Sequence, residues 1–412
     1  MSIRNGRRGF FGALSSLGLG VFAGQQVLKA QGPKPIPVTT LDVGDLPFVI
    51  DNGVKVFKLI AEPVKQTVIP GRTFDLWGFN GSAPGPTIQA TEGDRVRILF
   101  ENHLPEPTGI HWHGLELPIG MDGVPGIGQE LVEPGGKFTY EFPLHQNGTF
   151  FYHPHMAMQE MAGMLGGFII HPKVAYSPIV DRDYLIALQE YAVLPNNTIP
   201  NTMMMEFNWL TFNGKSGPSS TPIVLRKGER VRLRFINMGM DHHPIHLHGF
   251  TFWETGREGA RQQETAWTRG NTTLVGVAQA RDIEFVADRI GDWMLHCHLP
   301  HHMMNQMASN VGPMTRAASH NMAGMDHDMA GMNMPTPPAG ANKVPLFPQD
   351  AYMEGPMMAM DKEVDKAEAL GLPPGWSGFV GGMMTLVRVV PDDLYSKIMA
   401  LKESKAVKAG KA

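Results

Sequence analysis

Residues 92–114 read "EGDRVRILFENHLPEPTGIHWHG" and residues 227–249 read "KGERVRLRFINMGMDHHPIHLHG". The two stretches align without a gap at an offset of 135, which pairs Gly93 with Gly228, Arg95 with Arg230, His111 with His246 and His113 with His248. Farther along, "YHPH" ending at His155 pairs with "LHCH" ending at His298, at an offset of 143. A chain of 412 residues is too long for one ordinary core. The self-similarity divides it into one copy over residues 40–175 and a second over residues 180–412.

Each copy reads as all-β. "RVRILF", "KFTYEFPL", "GTFFYHPH", "RVRLRFI", "RDIEFV" and "DWMLHCH" are short runs with partial alternation, separated by turn signals such as "PGG", "NG" and "EGD". Short strands at this spacing predict sandwiches or barrels. The second copy carries an insertion over residues 312–378, with "SHNMAGMDHDMAGMNMPTPPAG" inside it. Of the chain's 28 methionines, 13 fall between Met303 and Met360, which marks this segment as compositionally distinct. The strand that follows "HPHMAMQEMAGMLGG" directly in the first copy is delayed in the second to "GGMMTLVRVV", residues 381–390. "DDLYSKIMALKESKAVKAG" then reads as a terminal helix.

The N-terminus pairs Arg7 and Arg8 ahead of Phe10, Phe11 and a Gly/Ala-rich apolar stretch, with "LKA" at 28–30 as a cleavage site. This pattern over residues 1–30 predicts a twin-arginine export signal, a periplasmic or otherwise exported location, and a protein that travels folded. Its loss removes Arg4, Arg7, Arg8 and Lys29, taking the net charge from −4 to −8. No basic patch with interleaved aromatics speaks for nucleic acid. No later run approaches the length of a membrane span. With a single cysteine, Cys297, the chain has no internal disulfide.

Four His-x-His pairs stand out: His111/His113, His153/His155, His246/His248 and His296/His298. On a strand, residues i and i+2 share a face, so each pair presents two imidazoles side by side. Eight imidazoles suffice for about three metal ions at two or three ligands each. Parity separates a second set. Cys297 lies between His296 and His298 and faces the other way, and His243, three residues before His246, can do the same. His302 and Met307 follow past the strand end. A cysteine, two histidines and a distant methionine match the trigonal thiolate–imidazole set of a blue-copper electron-transfer site.

With "HWHG", "YHPH", "HPIHLHG" and "HCHLPHHMMNQM" in this order, the chain resembles the two-domain multicopper oxidases, laccase-like members of the cupredoxin superfamily, over roughly residues 40–310. The resemblance implies two cupredoxin-like Greek-key domains and four coppers per chain. It puts type 1 copper on His243, Cys297, His302 and Met307, and type 2 copper on His111 and His246. The type 3 pair would use His113, His153 and His298 for one ion and His155, His248 and His296 for the other. It places Asp122, in "MDGVPG", beside the type 2 copper on a proton path; that Asp-Gly also reads as a turn. Shifted into the first copy, the type 1 ligands fall on Thr108, Pro154, Gln159 and Met164, so the first domain is expected to lack type 1 copper. Relatives of this size imply a homotrimer with the trinuclear cluster between chains.

The implied reaction takes electrons one at a time from a reductant and reduces O2 to water. The methionine-rich insertion, close to the type 1 ligands in sequence, points to Cu(I) as donor and to copper tolerance. A phenol or aromatic amine, as for laccases, is the alternative. Copper nitrite reductases and non-catalytic copper-binding proteins are further alternatives. The former resemble a pattern with the type 1 cysteine in the first domain, whereas here it is in the second.

Overall fold

The computed structural model describes residues 32–194, 197–303 and 360–409. The expected leader over residues 1–30, Met307 and residues 312–359 of the methionine-rich insertion lie outside the described residues.

The repeat in the sequence is a repeat in strand order. In the first half, Gly85–Thr91 runs parallel to Gly166–His171, which pairs antiparallel with Gly148–Pro154, which pairs with Ile110–His113. In the second half, Ile223–Arg226 runs parallel to Met384–Val390, which pairs antiparallel with Gly291–Cys297, which pairs with His243–Leu247. The facing sheets correspond too. Val54–Ile69, Arg95–Asn102 and Lys137–Pro143 are matched by Arg182–Tyr191, Arg230–Asn237 and Ala280–Val286, each a parallel pair followed by an antiparallel one. Each half is a β-sandwich of cupredoxin type closed over its own apolar core. The delayed strand at 381–390 is present as Met384–Val390 and closes the second sandwich after the insertion.

One buried asparagine in each half fixes the loop that leads to the first histidine pair. Asn102 Nδ2 donates to the carbonyls of Glu106 and Val132, while its Oδ1 accepts from Leu104 N. Asn237 does the same with Asp241, Val275 and Gly239 N. Both saturate backbone groups that would otherwise be buried unpaired.

The halves differ where they meet. Arg95–Asn102 alternates as the sequence suggests, with Arg95 and Arg97 paired to Glu141 at the surface. Arg230–Asn237 is buried on both faces, because its outer face packs on the first half. Phe151, Leu165 and Ile169 meet Leu185, Ala187, Ile236 and Ala280 in a shared core. Beside it, Arg234 binds both oxygens of Asp183 at 2.7 and 2.8 Å and donates to Thr149 of the first half at 2.7 Å. Arg232 bridges Asp183 and Glu284, and Tyr176 lies between the guanidinium groups of Arg232 and Arg261. Gly148 and Gly259 touch across the junction so closely that a Cβ at 148 would sit 1.3 Å from the Gly259 carbonyl.

The helix Asp392–Ala409 packs Tyr395 and Ile398 against Val224 and Val390. No described helix is long and apolar enough to cross a membrane.

Removing one partner of a buried ion pair strands the others. Asp183→Ala leaves two buried guanidinium groups without their shared carboxylate and is expected to cost about 3–5 kcal/mol, read as a lowered urea midpoint in a metal-free preparation.

Candidate metal centres

The strand Gly291–Cys297 sends its side chains alternately to two sites. Cys297 pairs with Ile245 and His296 with His246 across the ladder. The inward residues of His243–Leu247 are buried and the outward ones half-exposed, so His243 joins Cys297 on one face while His246 joins the buried His296 on the other.

The inner site is compact. Cys297 Sγ lies 3.6 Å from His243 Nδ1 and 3.4 Å from His302 Nδ1, and all three residues are buried. His302, in the short turn Pro300–Met303, has no exposed surface, whereas its neighbour His301 is exposed. The spacing of five from the cysteine therefore selects His302. Each imidazole turns its other nitrogen to a carboxylate. His243 Nε2 donates to Glu190 at 3.1 Å. His302 Nε2 lies 3.3 Å from Asp241 but outside hydrogen-bond alignment, and has no hydrogen-bond partner. His301, His302 and Asp241 form a second group of converging donors on the outer side of this site. Burial pushes the Cys297 thiol up to about 12 and His302 down to about 3. Two buried imidazoles around a thiol that loses its proton only to a metal suit a soft ion.

The eight outer histidines form two quartets. In the first, His111 lies within 5.7 Å of the rings of His113, His153 and His155. In the second, His246 lies within 5.6 Å of His248, His296 and His298. Among the described residues no ring contact or hydrogen bond joins one quartet to the other. His155 and His298 are exposed, and His246 and His248 line a surface recess with Asn271 and Arg289.

Hydrogen bonds repeat between the quartets and orient the rings. His111 Nδ1 donates to the Asp122 carbonyl at 2.8 Å and His246 Nδ1 to the Asn271 carbonyl at 2.7 Å. His153 Nδ1 donates to the Pro154 carbonyl at 2.8 Å and His296 Nδ1 to the Cys297 carbonyl at 2.9 Å. In all four, Nε2 is left as the outward lone pair, the usual way a protein sets the tautomer of a ligating histidine. His113 Nδ1 approaches His153 Nε2 at 3.2 Å, and His248 Nε2 approaches His296 Nε2 at 3.0 Å. The Asp122 carboxylate stands 3.4 Å from His111 Nδ1. The sequence reading did not find Glu160, whose carboxylate reaches His153 Nδ1 at 3.0 Å, nor Glu190 or Asp241. "MQE" and "MDHH" place two of these within eight residues of a histidine ligand candidate, but acids that close are common.

In the first half the place of the inner site is filled. Thr108 Oγ1 donates to Gln159 Oε1 at 2.7 Å, and Gln159 Nε2 donates to the Pro107 carbonyl at 2.9 Å. Both are buried, as is Met164.

Two family models, each described as multicopper oxidase, match residues 62–175 and 192–314. A blue copper oxidase from Nitrosomonas europaea is 32% identical, with a TM-score of 0.57 over 61% of this chain and 81% of that one. The chain belongs to the multicopper oxidase family. Copper is the cofactor this membership implies, and the donor sets fit it: a buried thiol between two imidazole nitrogens, and imidazoles with Nε2 directed outward. Copper resistance protein A of Pseudomonas syringae pv. tomato is 34% identical over 160 residues, 39% of this chain and 26% of that protein. Laccase-2 of Botryotinia fuckeliana is 31% identical over 253 residues, 55% of this chain and 42% of that protein. The chain thus spans about a quarter of the copper resistance protein it matches.

Burial holds His113, His171 and His296 down at about 4. An unfolded histidine takes up its proton near pH 6.5, so between about 6.5 and about 4 the unfolded chain binds more protons than the folded one. The metal-free chain is therefore expected to keep its full stability above about pH 6.5 and to lose it progressively towards about pH 4. A level urea midpoint across that range would contradict this.

Proposed function

We propose that the chain is an exported multicopper oxidase that oxidises cuprous ion, four Cu(I) and four protons per O2, to give four Cu(II) and two waters. The observation that carries the oxidase reading is the strand at 296–298. Cys297 faces the buried pair His243 and His302, while His296 and His298, bonded to it on either side, face the outer quartet. In this reading His243, Cys297, His302 and Met307 hold type 1 copper. His111 and His246 hold type 2 copper, and the remaining outer histidines hold the type 3 pair. Bound copper supplies one-electron redox change and the activation of dioxygen. The protein's own part is to orient the eight imidazoles by the paired carbonyl contacts. Asp122 lies where it can hold a proton beside His111.

Cu(I) as donor is supported by Asp241 and His301 standing beside the His302 ring on the outer side of the inner site, and by the likeness to proteins named for copper resistance. The Asp241 carboxylate and the His301 imidazole offer a cation a stop beside the His302 ring, one imidazole away from Cys297. A laccase-type reaction with phenols remains the second reading, favoured by the likeness to fungal laccases.

Among the described residues no ring contact or hydrogen bond joins the quartets, and His246 and His248 of the second line an open recess. We take them to complete one another between copies in a homotrimer, which sedimentation of the copper-loaded protein would test. A monomer with full activity would exclude it.

Oxygen uptake compares Cu(I) with a phenol, on the intact protein and on one lacking residues 315–360. Unchanged Cu(I) oxidation after the deletion would remove the insertion from the reading. Asp241→Asn is expected to raise the KM for Cu(I) about tenfold, the loss of one charged contact of ~1.5 kcal/mol, with the KM for a phenol unaltered. Cys297→Ser is expected to abolish blue colour and oxygen uptake together while the circular dichroism of the folded chain persists.

A further inference from the structure

Glu190 is the penultimate residue of the strand Arg182–Tyr191, on the sheet facing the one that carries Cys297. Its side chain has no exposed surface. One oxygen accepts from the backbone N–H of Met240 and Asp241 at 2.5 and 2.9 Å, and the other accepts from His243 Nε2 at 3.1 Å. All three donors belong to the turn that delivers His243 to the inner site. The space for the carboxylate exists because residue 239 is glycine: a Cβ there would lie 2.0 Å from a Glu190 oxygen.

The repeat shows that this arrangement accompanies the cysteine. Leu188 pairs with Asn237, and Ala61 pairs with Asn102. Asn237 and Asn102 are equivalent, so Glu190 corresponds to Pro63 and Gly239 to Leu104. The half without a cysteine has neither the acid nor the room for it. The half with Cys297 has both. Burying a carboxylate is costly unless its lone pairs are used, and here they are used on the histidine that faces the thiol.

We propose that Glu190 is a positioning residue for the inner copper site: it keeps the His243 proton on Nε2, aims Nδ1 at Cys297, and lowers the reduction potential of the copper held there. This rests on the reading that His243, Cys297 and His302 hold type 1 copper. A carboxylate accepting the N–H of a ligating imidazole makes the ring a stronger donor, and stronger donation favours the oxidised ion. It also distinguishes the two imidazoles. His243 is tied inward to an acid, while His302 keeps its outer nitrogen free of hydrogen bonds on the side of Asp241 and His301.

The test uses the full-length chain. Ring-nitrogen shifts of the metal-free, histidine-labelled protein report the tautomer, and the copper-loaded protein gives the blue absorption band and the reduction potential. The wild type is expected to carry the His243 proton on Nε2. E190Q keeps an oxygen for the two backbone donors but loses the charge, so it should stay blue with a raised potential. E190D, which retains the charge, should lie between. A His243 proton on Nδ1, a wild-type potential in E190Q, or a shift in E190D as large as that in E190Q would overturn the proposal. If E190Q does not fold, the tautomer in the wild type decides. A wild type that binds copper without a blue band would instead overturn the type 1 reading, and the metal-free tautomer would still decide on Glu190.

Discussion

Successive side chains of a β-strand point to opposite faces, and at residues 296–298 that constraint organises both sites. The thiol of Cys297 is held in the core with His243 and His302, while His296 and His298 lie on the opposite face with His246 and His248. Two donor sets share one stretch of backbone with no residue between them. A one-residue slip in the pairing of Gly291–Cys297 with His243–Leu247 would exchange the sets. The ladder between Ile245 and Cys297, and between His246 and His296, is therefore as much a part of the site as the ligands.

The junction between the halves serves a different need. Arg232 and Arg234 occupy positions that in the first half belong to the half-exposed Arg97 and the exposed Leu99, and they are kept buried by Asp183, Glu284 and the first-half hydroxyl of Thr149. Buried ion pairs add little net stability, but they are intolerant of misplacement. A junction made of them, together with the close Gly148–Gly259 contact, holds one sandwich at a set angle to the other. That angle decides where each histidine quartet faces.

Much of this was legible in the sequence, because it depends on period and repetition. The four His-x-His pairs, their matched offsets and the reversed parity of Cys297 needed only a strand, and a strand was evident in "DWMLHCH". That Thr108, Pro154, Gln159 and Met164 stand in the first half where the inner-site residues stand in the second followed by the same arithmetic. What was not legible depends on which sheets face each other. Glu190 is 53 residues from His243, and it meets the histidine only because two sheets close over one core. Asp241 was close in sequence, but only the turn at Pro300–Met303 brings it to His302. The alternation expected of "RVRLRFI" was hidden for a similar reason: its polar face is covered by the other half.

The hydrogen bond between Thr108 and Gln159 shows what the sandwich requires at that point. It requires a filler that bridges the strand entering the histidine pair and the short helix leaving the next one. A hydroxyl and an amide meet that need in one half, and a thiol with two imidazoles meets it in the other. One molecule therefore holds two fillings of the same place in the sandwich, a hydroxyl with an amide in one half and a thiol with two imidazoles in the other.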